Sequence, residues 1–283
     1  MSDIKPTERS SEARFSKIID EVASSLPPNE AQKFIAALND KMQTPPKIAI
    51  IGKSGAGKTT TINALFGTNW HVSDIKTGTT EAQQETFTLK SGSKITMVDM
   101  PGLGDSRAKD AIFINEYKRI LPEADIILYV LQADDRGFAS DMKILKEVVL
   151  PCAKNALDKI IIGINKVDLL GMNEGLKWNR TINLPSERQA QLIEQKCTDA
   201  IKRISKSLGL KKENIVYFSA IQYYRLYELL YCLVMAGDVR ISALDINPGD
   251  FIDLIEIPEV KKQALEYREK LRKENALKQK IQK

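Results

Sequence analysis

The run Gly52-Lys53-Ser54-Gly55-Ala56-Gly57-Lys58-Thr59 places glycines, two lysines and a closing hydroxyl within one short stretch. It fits the spacing G-x-x-x-x-G-K-[ST], follows the apolar run Ile48–Ile51 and opens a helical stretch at Lys58. Glycines at 52, 55 and 57 let the backbone curl so that successive N–H groups converge on an anion, and the helix N-terminus adds its dipole. A polyphosphate is the expected occupant. Lys58 is expected to reach the β- and γ-phosphates and the Thr59 hydroxyl to ligate Mg2+, with Lys53, Ser54, Ala56 and Thr60 completing the cradle. A bare glycine-rich turn is the alternative, and the strand and helix on either side argue against it.

Further along, Val98-Asp99-Met100-Pro101-Gly102 ends another apolar run, Ile95–Asp99. A carboxylate at a strand end can hold Mg2+ through water, and the Gly102 N–H can meet a γ-phosphate. The pattern D-x-x-G is common by chance, so its weight comes from its place after the phosphate loop. Between the two lies Lys76-Thr77-Gly78-Thr79-Thr80-Glu81. A loop hydroxyl there can close over Mg2+ when the γ-phosphate is present, which is the physical basis of a nucleotide switch. Thr79 and Thr80 are both candidates, against the reading of a plain Thr/Gly surface turn. The expected metal set is Thr59, Asp99 and Thr79 or Thr80; the expected catalytic set is Lys58, Thr79, Thr80 and Gly102.

Asn165-Lys166-Val167-Asp168 follows the apolar run Ile160–Ile164. A carboxylate at Asp168 can accept from both N1–H and the 2-amino group of guanine, which adenine lacks. A buried carboxylate left unpaired by the wrong base is costly, so such a site discriminates by about 10⁴ or more. Asn165 can tie the base-binding loops together and the Lys166 stem can lie along the base plane. After the last apolar run, Ser219-Ala220 can offer a backbone N–H to guanine O6. Taken in order, these residues select GTP over ATP.

Positioning these residues requires strands that end at them. Apolar runs at Ile48–Ile51, Glu85–Leu89, Ile95–Asp99, Ile126–Leu131, Ile160–Ile164 and Ile215–Phe218 alternate with helical patterns beginning at Lys58, Arg107, Ala139, Ser186 and Ile221. This predicts an α/β fold: a doubly wound, mainly parallel six-stranded G domain with helical N- and C-terminal extensions. The polar-alternating run Glu85–Leu89, joined onward by Ser91-Gly92, reads as an antiparallel edge. The expected division is residues 1–46 as an N-terminal helical segment, 47–236 as the G domain and 237–283 as a C-terminal extension with a basic helix. In the first segment Phe15, Ile18, Ile19 and Val22, then Phe34, Ile35, Leu38 and Met42, recur at helical spacing.

The 283 residues, 43% apolar and 28% charged, are ordinary for a globular protein able to bury a substantial core. From Lys261 to Lys283 nine Lys or Arg face three Glu, so the tail carries the whole net excess of +5. The body is near neutral and does not read as a general nucleic-acid binder. The tail reads either as a solvated helix or as an electrostatic contact to RNA, the ribosome or an anionic membrane. Cys152, Cys197 and Cys232 match no metal or redox spacing and suit a reducing cytosol. No secretory signal and no stretch long enough to span a bilayer is seen, so a soluble cytoplasmic protein is expected. His71, the lone histidine, reads as a surface or packing residue, and Trp178 as a packing anchor.

In order and spacing the motifs resemble the GTPase superfamily that includes Era, TrmE, septins and the interferon-inducible immunity GTPases, over about Lys47–Ala236. Val72-Ser73-Asp74-Ile75-Lys76, the Thr79/Thr80 segment and Ala133-Asp134-Asp135-Arg136 resemble bacterial Era-like GTPases of the YfjP/YeeP type. The resemblance implies GTP hydrolysis with Mg2+ and GTP/GDP as ligands. Two departures matter. Leu103 stands where Ras-like enzymes carry a water-orienting Gln, and Gly55 where TrmE and Era carry a potassium-binding Asn. The phosphate loop is instead similar to that of septins and immunity GTPases, which pair G domain to G domain. Nothing C-terminal resembles the RNA-binding KH domain of Era. A homodimer through the G domain, a separate activator, or a backbone-positioned water with slow turnover would each supply the missing group. Arg136 is a candidate finger in trans, or else a solvated loop arginine. The expected function is a molecular-switch GTPase whose extensions meet a protein, ribosome/RNA or membrane partner. The alternative is a septin-like assembly module stabilised by nucleotide with negligible turnover. An ATPase or kinase would require ignoring Asn165–Asp168.

Overall fold

The computed structural model describes residues 27–66, 70, 82–88, 94–104, 107–134, 138–153, 155–179 and 183–235, with scattered helical positions between 258 and 273. The expected helix at 15–22, His71, Thr79, Thr80, Arg136 and the end of the tail lie outside the described residues.

Helix α1, Pro28–Gln43, starts on a proline, which suits a first helical turn, and ends before Pro45-Pro46. Then come β1 (Lys47–Gly52), α2 (Lys58–Phe66), β2 (Gln83–Thr88), β3 (Lys94–Asp99), α3 (Arg107–Ile120) and β4 (Ile126–Gln132). Helix α4 (Ala139–Ile144) continues through a π turn, Leu145–Val149, into α5 (Leu150–Cys152), followed by α6 (Ala156–Lys159) and β5 (Ile160–Asn165). A small ribbon of β6 (Trp178–Asn179) and β7 (Leu184–Pro185) precedes α7 (Glu187–Leu208), β8 (Ile215–Tyr217) and α8 (Leu226–Met235).

The sheet has six strands in the order β2-β3-β1-β4-β5-β8, parallel except for β2, which pairs antiparallel with β3 at the edge. Its inner strands are continuous apolar runs because both faces are covered. Alternate residues go to opposite sides. Ala49, Ile51, Ile127, Tyr129, Ile160 and Ile162 pack toward one cluster with α3, α5 and α7, and Ile48, Ile50, Ile126, Leu128 and Ile161 toward another with α2 and α8. Burying a Leu or Ile side chain fully is worth about 1.5–3 kcal/mol. Two such layers therefore hold the strand ends in fixed register. On α7, Ile193, Cys197, Ala200 and Ile204 form a buried stripe at helical spacing, with Ile201 partly buried beside it. The Ser186 hydroxyl caps its N-terminus by accepting from Gln189 N, and Gly209, at φ +72°, closes its end.

The last helix begins at Leu226, five residues later than the sequence pattern suggests. Ser219 and Tyr224 exchange backbone hydrogen bonds, and Tyr223 and Arg225 both take positive φ, so the chain is committed to a tight turn until Arg225. The ribbon β6–β7 and the short helix α6 have too few residues to show a periodicity, and the sequence gives no sign of them.

Candidate nucleotide-binding site

The phosphate loop springs from β1 and enters α2 at Lys58. Two side-chain amides from the ends of neighbouring strands shape it: Gln132 Nε2 donates to Gly55 O (2.6 Å) and Asn165 Nδ2 donates to Ala56 O (3.0 Å). Turning these successive carbonyls toward β4 and β5 leaves the opposite side of the loop to N–H groups. Gly57 sits at φ +91°, and a Cβ there would lie 2.4 Å from Asn165 Nδ2, so no other residue fits without displacing that bond. The first helical bond is Thr61 N to Gly57 O, so the N–H groups of Lys58, Thr59 and Thr60 precede the helix ladder, where an anion is favoured. Lys58 is 6% exposed and its Nζ arches back to Lys53 O at 3.2 Å.

Asp99, fully buried at the end of β3, accepts from Thr59 Oγ1 at 2.5 Å. A hydroxyl and a carboxylate are hard oxygen donors, and their meeting beside Lys58 fits magnesium bound chiefly through phosphate oxygens and water. The residues after Asp99 fold onto the phosphate loop. Ser54 N donates to Leu103 O, Leu103 N donates to Gly52 O, and Lys53 and Leu103 form a parallel β-bridge. A Cβ on Gly102 would come within 2.7 Å of Ser54 N and 3.0 Å of Lys58 Nζ, so glycine is required for this approach. Tyr117, fully buried, anchors the loop by donating from its hydroxyl to Pro101 O, and burial raises its pKa so that it stays a neutral donor. Leu103 is itself buried.

At the other end of the site, Asn165 Oδ1 accepts from Ala220 N at 3.0 Å while its amide holds Ala56 O. One side chain thus joins the phosphate loop to the loop after β8. Lys166 takes φ +65°, which turns the chain sharply and brings Asp168 inward, where it is 6% exposed. Ser219 Oγ donates to Asp168 Oδ1 at 2.5 Å. The Gln189 amide, from the first turn of α7, donates to both Asp168 O and Leu170 O.

Of the residues singled out from sequence, Gly52 through Thr60, Asp99 and Gly102 form one cluster, and Asn165, Lys166, Asp168, Ser219 and Ala220 a second, joined by Asn165. Thr79 and Thr80 lie outside the described residues. The Lys53 side chain pairs with Asp141, while Tyr129 donates to the same carboxylate. Gln132, Asp141, Asn183 and Gln189 support the site and were not read from sequence. Each acts across a long sequence separation and belongs to no spacing motif; only the position of Gln132, one residue past a predicted strand, hinted at a role.

Among the described residues no group of His, Cys, Asp and Glu side chains forms a further metal cluster, and no helix is long and apolar enough to cross a membrane.

Residues 47–166 match the family model described as 50S ribosome-binding GTPase. The chain is 36% identical to the protein YfjP of Escherichia coli (strain K12) over 128 residues, 44% of each chain. It is 30% identical to GTPase Era of Aquifex aeolicus (strain VF5) over 128 residues, covering 44% of this chain and 41% of Era. The chain therefore spans less than half the length of these relatives. Among solved structures, Era in complex with MgGDPNP and a segment of 16S ribosomal RNA superposes with a TM-score of 0.52 at 24% identity, over 68% of this chain and 57% of that one. That likeness establishes the fold.

Proposed function

We propose that through residues 47–166, which match the 50S ribosome-binding GTPase model, the chain is an Era-like P-loop GTPase that binds GTP with Mg2+, hydrolyses it slowly and acts as a nucleotide-dependent switch in the cytoplasm. The observation that carries the reading is the double engagement of Asn165, which fixes the phosphate loop at Ala56 and the base loop at Ala220. A nucleotide needs both ends held at a set distance, and one amide sets it.

In this reading Asp168 accepts from the guanine edge, with Ser219 holding one of its oxygens in place. The Ala220 N–H lies beside guanine O6 and the Lys166 stem beside the base. Lys58 places its cation on the β- and γ-phosphates. Thr59 and Asp99 hold magnesium, which when bound offsets the charge of the phosphates. The Gly102 N–H, pressed against Ser54, meets the γ-phosphate and senses its loss. Thr79 or Thr80 completes the metal set from the switch loop.

Leu103 offers no polar atom to orient an attacking water, and its burial against the phosphate loop keeps it from moving aside. This favours completion of the site by a second copy or a partner, with the extensions as the coupling elements. It equally favours a second reading, an assembly module in which GTP is structural. Era is known in complex with ribosomal RNA, and the basic tail here makes RNA one partner class to test, beside proteins and anionic membranes.

The deciding experiment is GTP turnover per molecule over about a hundredfold range of protein concentration with Mg2+ and potassium. Specific activity that rises with concentration places the missing group across a dimer. Activity that stays flat and slow places it on a partner, and no turnover with nucleotide retained through purification supports the assembly module. Failure to bind GTP at all would sink the proposal.

A further inference from the structure

The small ribbon β6–β7 and the turn after β8 are far apart in sequence, yet a continuous chain of hydrogen bonds joins them to the base-reading carboxylate. Trp178 Nε1 donates to Asn183 Oδ1 (3.1 Å), and Asn183 Nδ2 donates to Gln222 O (2.7 Å). Gln222 N donates to Ser219 Oγ (3.2 Å), and Ser219 Oγ donates to Asp168 Oδ1 (2.5 Å). Trp178 also sets its ring edge-on to Tyr224, with centroids 5.3 Å apart and planes at 82°.

The turn needs outside support. Tyr223 and Arg225 both occupy left-handed backbone, at φ +53° and +57°, which non-glycine residues adopt only where the surroundings over-determine it. Two sets of contacts do so. On one side the Arg225 guanidinium lies 3.7 Å over the Tyr217 ring and its Nε donates to Glu228. On the other side the ribbon acts through Asn183 and Trp178. Asn183 is itself at φ +51°, a conformation asparagine tolerates better than most residues, and this lets one short side chain reach both partners.

We infer that Asn183 is a positioning residue for guanine recognition: by holding Gln222 it fixes the turn from which Ser219 orients Asp168. The inference rests on the guanine-nucleotide reading of the site and adds a specificity element to it. Loosening the turn lets Ser219 release Asp168, so the carboxylate loses its fixed direction toward the base. The phosphate loop lies at the other end of the cleft and is linked to this turn through Asn165, which accepts from Ala220 N and donates to Ala56 O.

The test uses the full chain with Asn183→Asp and Asn183→Gly. Aspartate keeps the acceptor for Trp178 and removes the donor to Gln222. Glycine keeps the left-handed backbone and removes both bonds. The readouts are the dissociation rate of GDP and the preference for GDP over IDP, which lacks the 2-amino group that Asp168 reads in the proposed site. Both variants are expected to release GDP about three- to tenfold faster, the range a lost hydrogen bond allows, and to lose part of the GDP preference. Trp178→Phe, which keeps an aromatic ring but not the N–H, should follow with a smaller effect.

If Asn183 serves only its own backbone conformation, Asn183→Gly will match the wild type in rate and preference, and the inference falls. It falls too if variants of both kinds release GDP and IDP faster by the same factor, since that is general loosening. A wild-type protein that binds GDP, IDP and ADP alike overturns the guanine reading and this inference together. A guanine-selective wild type whose variants keep its selectivity and release rate overturns this inference alone.

Discussion

Lys53 and Asp141 form an ion pair, Nζ to Oδ2 at 3.5 Å, that ties the phosphate loop to helix α4. The two ends differ in environment: Asp141 is 2% exposed and also accepts from Tyr129, whereas Lys53 is 30% exposed. The pair spans the loop after Asp99, because Lys53 bridges Leu103 and its Cγ lies 3.7 Å from where a Cβ on Gly104 would be. Losing the lysine therefore removes this cation from beside a buried carboxylate. Lys53→Met is expected to cost about 1–2 kcal/mol, below the full value for a buried pair because Lys53 is partly solvated. Adding Asp141→Asn, which still accepts from Tyr129, should recover most of it. Urea unfolding of the wild type, both single variants and the double variant checks this, and additive single effects would mean the pair is not coupled.

Gly102→Ala tests the contact between the two phosphate-side loops. The new Cβ would sit 2.7 Å from both Cα and N of Ser54, which are backbone atoms that cannot swing aside. The loop must move by a fraction of an ångström or more. Hydrolysis is expected to fall by about 10- to 100-fold, as for other displacements of this size, while GDP, lacking the γ-phosphate, binds nearly as in the wild type. Single-turnover hydrolysis and GDP titration separate the two effects. An equal loss in both would place Gly102 in general loop stability instead.

Much of this arrangement was legible in the sequence because it depends on local chain geometry. The strand ends carrying Asp99 and Asn165 could be read because apolar runs stop there, and Gly57 because a loop entering a helix needs positive φ. Six strands with an antiparallel edge followed from the same runs, whereas their order in the sheet depends on long-range pairing and did not. What stayed hidden are contacts between segments with no spacing rule. Gln132 meets Gly55 across 77 residues, and Asn183 meets Gln222 across 39. The late start of α8 was missed for a related reason. The pattern from Ile221 onward is compatible with a helix, and only the pairing of Ser219 with Tyr224 shows that the chain turns first.

The cysteines give the protein a weakness at alkaline pH. Cys197 is 2% exposed, and burial pushes its thiol from 9.0 up to about 12. In the unfolded chain the thiol ionises near pH 9, and in the folded protein it does not, so stability is intact below pH 9 and is lost as pH rises from there toward 12. Cys232, raised to about 11 by burial and then Glu228, adds in the same direction. Denaturant unfolding at pH 8, 9 and 10 is expected to show a decline that is shallower in Cys197→Ala by up to about 1.4 kcal/mol per pH unit. Identical slopes would mean the thiol titrates normally in the folded state.

Asp168→Asn tests how the base is read. The amide replaces one acceptor oxygen with a donor, which complements the 2-oxo group of xanthine and opposes the 2-amino group of guanine. Preference is expected to move from GTP toward xanthosine triphosphate by at least about 100-fold, since the wrong partner leaves a buried polar group unpaired. Competition binding with both nucleotides measures the ratio. A variant that still prefers GTP would show that the base is recognised elsewhere.

In the proposed site, withdrawing Mg2+ and removing the Thr59 hydroxyl should have the same consequence. Thr59 and Asp99 meet at 2.5 Å, so losing either oxygen dismantles the donor pair. In the wild type, EDTA is expected to speed GDP release by at least about tenfold. Thr59→Val keeps the shape of the side chain but not its oxygen, so it should release GDP fast even in Mg2+ and respond little to EDTA. Lys58→Ala should behave differently: in the proposed site its cation meets the phosphates directly, so tight GTP binding is expected to be lost altogether, with or without metal. Nucleotide release followed in stopped flow distinguishes the cases. A Thr59→Val protein that still slows its release on adding Mg2+ would move the metal site away from Thr59, and a Lys58→Ala protein with wild-type affinity would remove the phosphates from this loop.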